Sequence, residues 1–123
     1  MTIGEFSVIT GISAYTLRYY EKKGLLRVGR DSMGRRDYSV DDIEWVKFIQ
    51  RLKDTGMLLR DIKCYSDLRY QGDDTRAERM ELLIQHRKSV MEEQRKWTEY
   101  LENLDVKIGI YRDRISESEK NDG

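Results

Sequence analysis

A chain of 123 residues with 37% charged residues, 38% hydrophobic residues and no proline has room for one small helix-rich domain and an appendage, with a core expected to be completed in an oligomer. The formal net charge is zero, so no uniform field marks the whole surface for an acidic or a basic partner. No apolar run is long enough to span a bilayer, no charged-then-apolar leader follows Met1, and one cysteine excludes an internal disulfide framework, so the chain is expected in the cytosol.

Thr2 and Glu5 have the form of a capping box, and Ile3, Phe6 and Ile9 follow at helical spacing, so a first helix is predicted to end at Thr10-Gly11. Ser13 caps a second helix running to about Lys23, which Gly24 ends. Two short helices joined by a glycine-containing turn have helix-turn-helix form, with the second as the recognition element and Leu17 and Leu25 docking it. Residues 27–38 read as a two-stranded hairpin, a wing, with Arg30, Arg35 and Arg36 near its tip. Ser39 with Asp42 starts a third helix whose apolar face is Ile43, Val46 or Trp45, Phe48-Ile49 and Leu52, and a fourth is predicted from roughly Leu58 to Tyr70.

Gln71-Gly72-Asp73-Asp74 is the one domain boundary. Beyond it, Met80, Leu83, Val90, Trp97, Leu101, Leu104, Ile108, Tyr111 and Ile115 fall on a 4-3 spacing that predicts a coiled coil, interrupted at Arg87 and Gln94. Those two can fix register or snorkel. Gly109, off the seam, costs only about 1 kcal/mol of helix propensity. The expected organisation is a DNA-binding head over 1–70, a dimerisation helix over 75–117 and a disordered tail over 118–123. The fold class is mainly α: a winged helix-turn-helix head followed by a long antiparallel coiled-coil helix. A head of that size cannot cover the long helix, so a second copy is the better explanation of the seam than packing back on its own domain.

Function is read from where the charge lies. Residues 1–70 carry 13 basic against 10 acidic side chains, residues 71–123 carry 10 against 13, and between Tyr15 and Tyr38 there are seven basic and three acidic. Arg18, Tyr19 and Tyr20 on a short helix, followed by a basic wing, point to double-stranded DNA. Arg18 can fork onto a guanine or a phosphate, and the wing arginines suit the backbone. The alternative is a coiled-coil interaction module whose basic head binds an acidic protein surface; the seam permits it, and Arg18 with the wing arginines argues against it. Catalysis and metal binding are not expected: His86 and Cys64 lie far apart, the glycines are scattered helix stops rather than a phosphate cradle, and the acidic pairs Asp41-Asp42 and Asp73-Asp74 sit at helix starts. No cofactor is expected. Cys64 lies off the main stripe of the fourth helix, at about 240° from Leu58 when each residue turns about 100°. It reads as a passive, semi-buried thiol, with a sensing role as the minor alternative.

The chain resembles the MerR family of bacterial transcription regulators. The carriers are Ile3-Gly4-Glu5, Thr16-Leu17-Arg18-Tyr19-Tyr20-Glu21-Lys22-Lys23-Gly24-Leu25, Gly34-Arg35-Arg36-Asp37-Tyr38, Asp42-Ile43 and Gly56-Met57. The resemblance is close over residues 1 to about 70, and the long C-terminal helix matches in kind. It implies a homodimer joined by an antiparallel coiled coil, bound to a promoter with an overlong spacer. The dimer kinks and untwists that DNA so that RNA polymerase engages both elements. It further implies base reading by Tyr15 and Arg18 on the second helix, which also carries Thr16, backbone contacts from Tyr19, Tyr20, Arg36 and Tyr38, and wing roles for Arg30 and Arg35, the last at a position where the family often has an aromatic. The short branch of the family that responds to aldehydes and other electrophiles is nearest in length and in Trp45-Val46-Lys47-Phe48-Ile49, which implies a small-molecule or electrophile inducer and a stress response. That branch carries a cysteine where Arg51 stands, so Cys64 is the candidate sensor that remains.

Overall fold

The computed structural model describes residues 1–122. Helix α1 (Ile3–Thr10) opens on the capping box: the Thr2 hydroxyl accepts from the Glu5 N–H and the Glu5 carboxylate accepts from the Thr2 N–H. Gly11, at φ +72°, closes it in the left-handed conformation that glycine adopts without strain. Ser13 caps α2 (Ala14–Lys22) through the Thr16 N–H. Gly24, at φ +75°, then turns the chain toward the wing, and the side chain of Lys63 fills the space a Cβ would need. Strands β1 (Gly29–Arg30) and β2 (Arg36–Asp37) pair antiparallel, Gly29 opposite Asp37 and Arg30 opposite Arg36. Ser39 and Asp42 form a second capping box at the start of α3 (Val40–Asp54). Helix α4 spans Leu59–Gln71, a single 3-10 turn covers Asp73–Thr75, and α5 runs Arg76–Asp122.

Two compact units divide the chain, Met1–His86 and the part from Arg87 onward. The first is built on a core of Phe6, Ile12, Leu17, Tyr20, Leu25, Leu26, Tyr38, Trp45, Val46, Ile49, Leu52, Met57, Ile62 and Tyr65. Helix α3 is central: it packs on α1 and on α4, so both Trp45 and Val46 are buried where the sequence offered one or the other. Trp45 also donates its indole N–H to the Leu25 carbonyl at 2.9 Å, and the buried Ser66 hydroxyl donates to the same oxygen at 2.8 Å. The chain between α2 and the wing is thereby tied to α3 and α4.

The fourth helix lies within one residue of its expected bounds at each end. Three expectations need correction. Leu83 of the expected seam packs against the head, as does Leu82, which the 4-3 spacing leaves out. The tail expected to be disordered over 118–123 is helical through Asp122, since α5 continues without a breaker; Gly123 lies outside the described residues. Cys64 is exposed rather than semi-buried, in a shallow groove with Leu68 and Leu82 as its apolar walls.

Candidate nucleic-acid interface

The short, doubly capped helix α2 divides its side chains by period. Leu17 and Tyr20 face inward, both almost fully buried, while Tyr15 and Arg18 face outward. Tyr15 is 78% exposed, and Arg18 enters no ion pair among the described residues. Both remain available to an outside partner. Thr16 is partly spent on the cap, its hydroxyl accepting from Ser13 at 3.0 Å. Tyr19 is half-buried, and the ammonium groups of Lys23 and Lys53 lie 5.8 and 5.9 Å from its ring centroid. Lys53 comes from α3, so spacing along α2 gave no sign of it.

Two tyrosines are corrected. Tyr20 is 1% exposed and Tyr38 2%, so neither ring reaches a DNA backbone while the fold is closed. Tyr38 stacks on Phe6 with centroids 4.5 Å apart. Burial raises both phenols above the ordinary tyrosine range, helped by Asp54 for Tyr20 and by Glu21 for Tyr38. Both tyrosines belong to the core beneath the interface.

The wing is held to α2 by a carboxylate that sequence reading did not single out. Arg30 and Arg36 stand directly opposite across β1 and β2, an arrangement that repels. Glu21 of α2 resolves it: its Oε1 accepts from Arg30 Nη2 at 3.0 Å and its Oε2 from Arg36 Nε at 2.6 Å. The hydrogen bond it donates to Glu21 is the main cause holding the Arg36 guanidinium above its ordinary range. At the tip, one Asp31 oxygen accepts from the N–H groups of Met33 and Arg35, and the other pairs with the Arg35 guanidinium at 3.2 Å. The N-terminal amine of Met1 donates to Asp37 at 2.7 Å and to the Tyr38 carbonyl at 2.8 Å, closing the base of the wing. Arg30, Arg35, Arg36 and Thr2 line one shallow cavity of about 420 Å³ on this face.

In the second unit the apolar residues of α5 stand uncovered: Trp97, Leu101, Leu104, Tyr111 and Ile115 are all more than half exposed, and Ile108 is 46% exposed. Val90 of the same unit is half-buried, and Met80, in the first unit, is exposed. Among the described residues no three His, Cys, Asp or Glu side chains gather as a metal site, and no helix is long and apolar enough to cross a membrane.

Comparison with known proteins agrees with this geometry. The family model for MerR HTH family regulatory proteins matches residues 1–67, and the MerR DNA-binding model matches residues 43–106. An HTH-type transcriptional regulator of Haemophilus influenzae is 44% identical over 103 residues, covering 83% of this chain and 76% of that protein. The crystal structure of HiNmlR, described as a MerR family regulator lacking the sensor domain and bound to promoter DNA, superposes with a TM-score of 0.79 at 41% identity, covering 91% of this chain and 90% of that one. A MerR family transcriptional regulator from Listeria monocytogenes superposes with a TM-score of 0.90 at 30% identity, covering 98% and 92%. With a winged helix-turn-helix head, a long C-terminal helix and these matches, the chain belongs to the MerR family of transcriptional regulators.

Proposed function

We propose that the chain acts as a homodimer that binds promoter DNA through its two heads and distorts a spacer too long for RNA polymerase, switching its output with a cytosolic stress signal. The observation that carries this reading is the exposed Arg18, in no ion pair among the described residues, on the same helix as the exposed Tyr15, with a flanking wing that presents Arg30, Arg35 and Arg36 on the same head. Arg18 and Tyr15 suit base edges in a major groove, while the wing arginines suit phosphates. HiNmlR, similar over nine-tenths of this chain, was crystallised on promoter DNA, which supports carrying the reading over.

The dimer is supported by the uncovered apolar side of α5, which water alone would leave costly. Charge supports an antiparallel arrangement: residues 76–98 hold six basic and four acidic side chains, residues 99–122 four basic and seven acidic. Antiparallel pairing sets each positive half beside a negative one. Distortion of the spacer rests on indirect readout, in which protein contacts offset the deformation energy of the DNA. For the signal, Cys64 is exposed and open to a small electrophile.

Fluorescence anisotropy at moderate salt tests the DNA reading, with the chain's own upstream DNA against a scrambled duplex. The expected preference for the upstream sequence is about 10³-fold or more. Equal affinities would refute specific recognition.

A further inference from the structure

Within the first unit, α3, α4 and the first turn of α5 enclose a depression of about 310 Å³ that the DNA reading leaves unused. Its lining carries three guanidinium groups, Arg51, Arg69 and Arg79, and two carboxylates, Asp41 and Glu44. None of these five enters an ion pair among the described residues. Arg69 instead lies over the Trp45 ring at 4.4 Å. The Nε of Arg79 is buried with no hydrogen-bond partner, a condition few polar atoms in folded proteins show. Aromatic rings complete the wall: Tyr65 stacks on Trp45 at 5.8 Å, and Phe48 lies 5.6 Å from Tyr65.

We propose that this hollow is a binding site for a small aromatic monocarboxylate. The chemistry follows from the lining. Three cations against two anions leave one positive charge in excess, which a single carboxylate matches and a dianion exceeds. Guanidinium forks bind a carboxylate in two parallel hydrogen bonds, and an acceptor there gives Arg79 Nε the partner it lacks. The Phe48 and Tyr65 rings suit a planar apolar body, as pockets of this size commonly combine aromatic walls with a few convergent polar groups. The ligand would join α3 and α4 to the first turn of α5, a position from which a small molecule can bias the head.

Isothermal titration of the full chain without DNA tests the site, using benzoate and its neutral isostere benzamide. Benzoate is expected to bind and benzamide not. Arg79→Gln, and separately the more exposed Arg51→Gln, should each weaken benzoate about tenfold or more, while Arg35→Ala on the wing leaves it unchanged. Circular dichroism confirms that each variant is folded, and either pocket variant suffices. The proposal is overturned if benzoate gives no binding up to about 10 mM. It is equally overturned if benzamide binds as well, if a folded pocket variant binds as the parent does, or if Arg35→Ala abolishes binding. Since no DNA is present, none of these failures touches the DNA reading.

Discussion

Replacing Glu21 by alanine should move stability and DNA binding in opposite directions. The Glu21 carboxylate is the only counterion between Arg30 and Arg36 among the described residues, and its side chain is 20% exposed, against 47% and 36% for the two arginines. Partly exposed pairs of this kind contribute about 0.2–1 kcal/mol each once solvent screening is counted. Removing Glu21 also leaves two guanidinium groups facing each other across the hairpin, which adds a few tenths more. The head should therefore lose about 1–2 kcal/mol, seen as a fall in Tm of roughly 5–10 °C by circular dichroism. On DNA the same change frees up to two cations for phosphate. The slope of log affinity against log salt should steepen by about 0.9 for each phosphate newly engaged, and non-specific affinity should rise at low salt. Anisotropy titrations across a salt series measure both. Glu21→Gln separates the two effects, since its amide keeps one acceptor but no charge. An unchanged salt slope in Glu21→Ala would refute the counterion role, and an unchanged Tm would refute the bracing of the wing.

Further outcomes follow from the same geometry. Arg18→Ala should cost about 1–3 kcal/mol of DNA binding and relax sequence preference, whereas uniform weakening on every duplex would make Arg18 a phosphate clamp. Leu101→Glu places a charge on an uncovered apolar side chain of α5 and should yield monomer in sedimentation velocity; an unchanged dimer would refute the seam. Cys64→Ser should abolish any transcriptional response to aldehydes, and a persisting response would show the thiol to be a bystander. The Thr2 backbone N–H holds the Glu5 carboxyl below the usual carboxylate range. Its contribution to α1 is therefore present above the ordinary glutamate pKa and lost as pH falls through the lower folded value. Carbon-detected NMR titration of Glu5 should show that low value in the parent and a rise toward normal in Thr2→Pro, which removes the N–H at a φ of −69° that proline adopts.

Local chemistry was readable in the chain and distant packing was not. Thr2 with Glu5 and Ser39 with Asp42 declare themselves as capping boxes because donor and acceptor lie three residues apart. Gly11 and Gly24 mark turns because few other residues adopt a left-handed backbone without strain. The family resemblance placed Tyr38 at the DNA backbone, and only a ring brought from α1, Phe6, shows why it is buried. Glu21 looks like any charged residue on a helix until the hairpin folds back and delivers two arginines to it. Leu82 and Leu83 sit in a helix patterned for another helix, yet the head claims them. Arg51, Arg69 and Arg79 are scattered over three helices, so no spacing along the chain could announce their convergence.

Two heads are expected to read the DNA together as one dimer. Hydroxyl-radical footprinting on the chain's own upstream DNA, with scrambled competitor in excess, measures this. The prediction is two protected half-sites related by a dyad, with the sequence between them altered in reactivity where the duplex is distorted. Protection of a single half-site, or protection that the scrambled competitor removes, would contradict it.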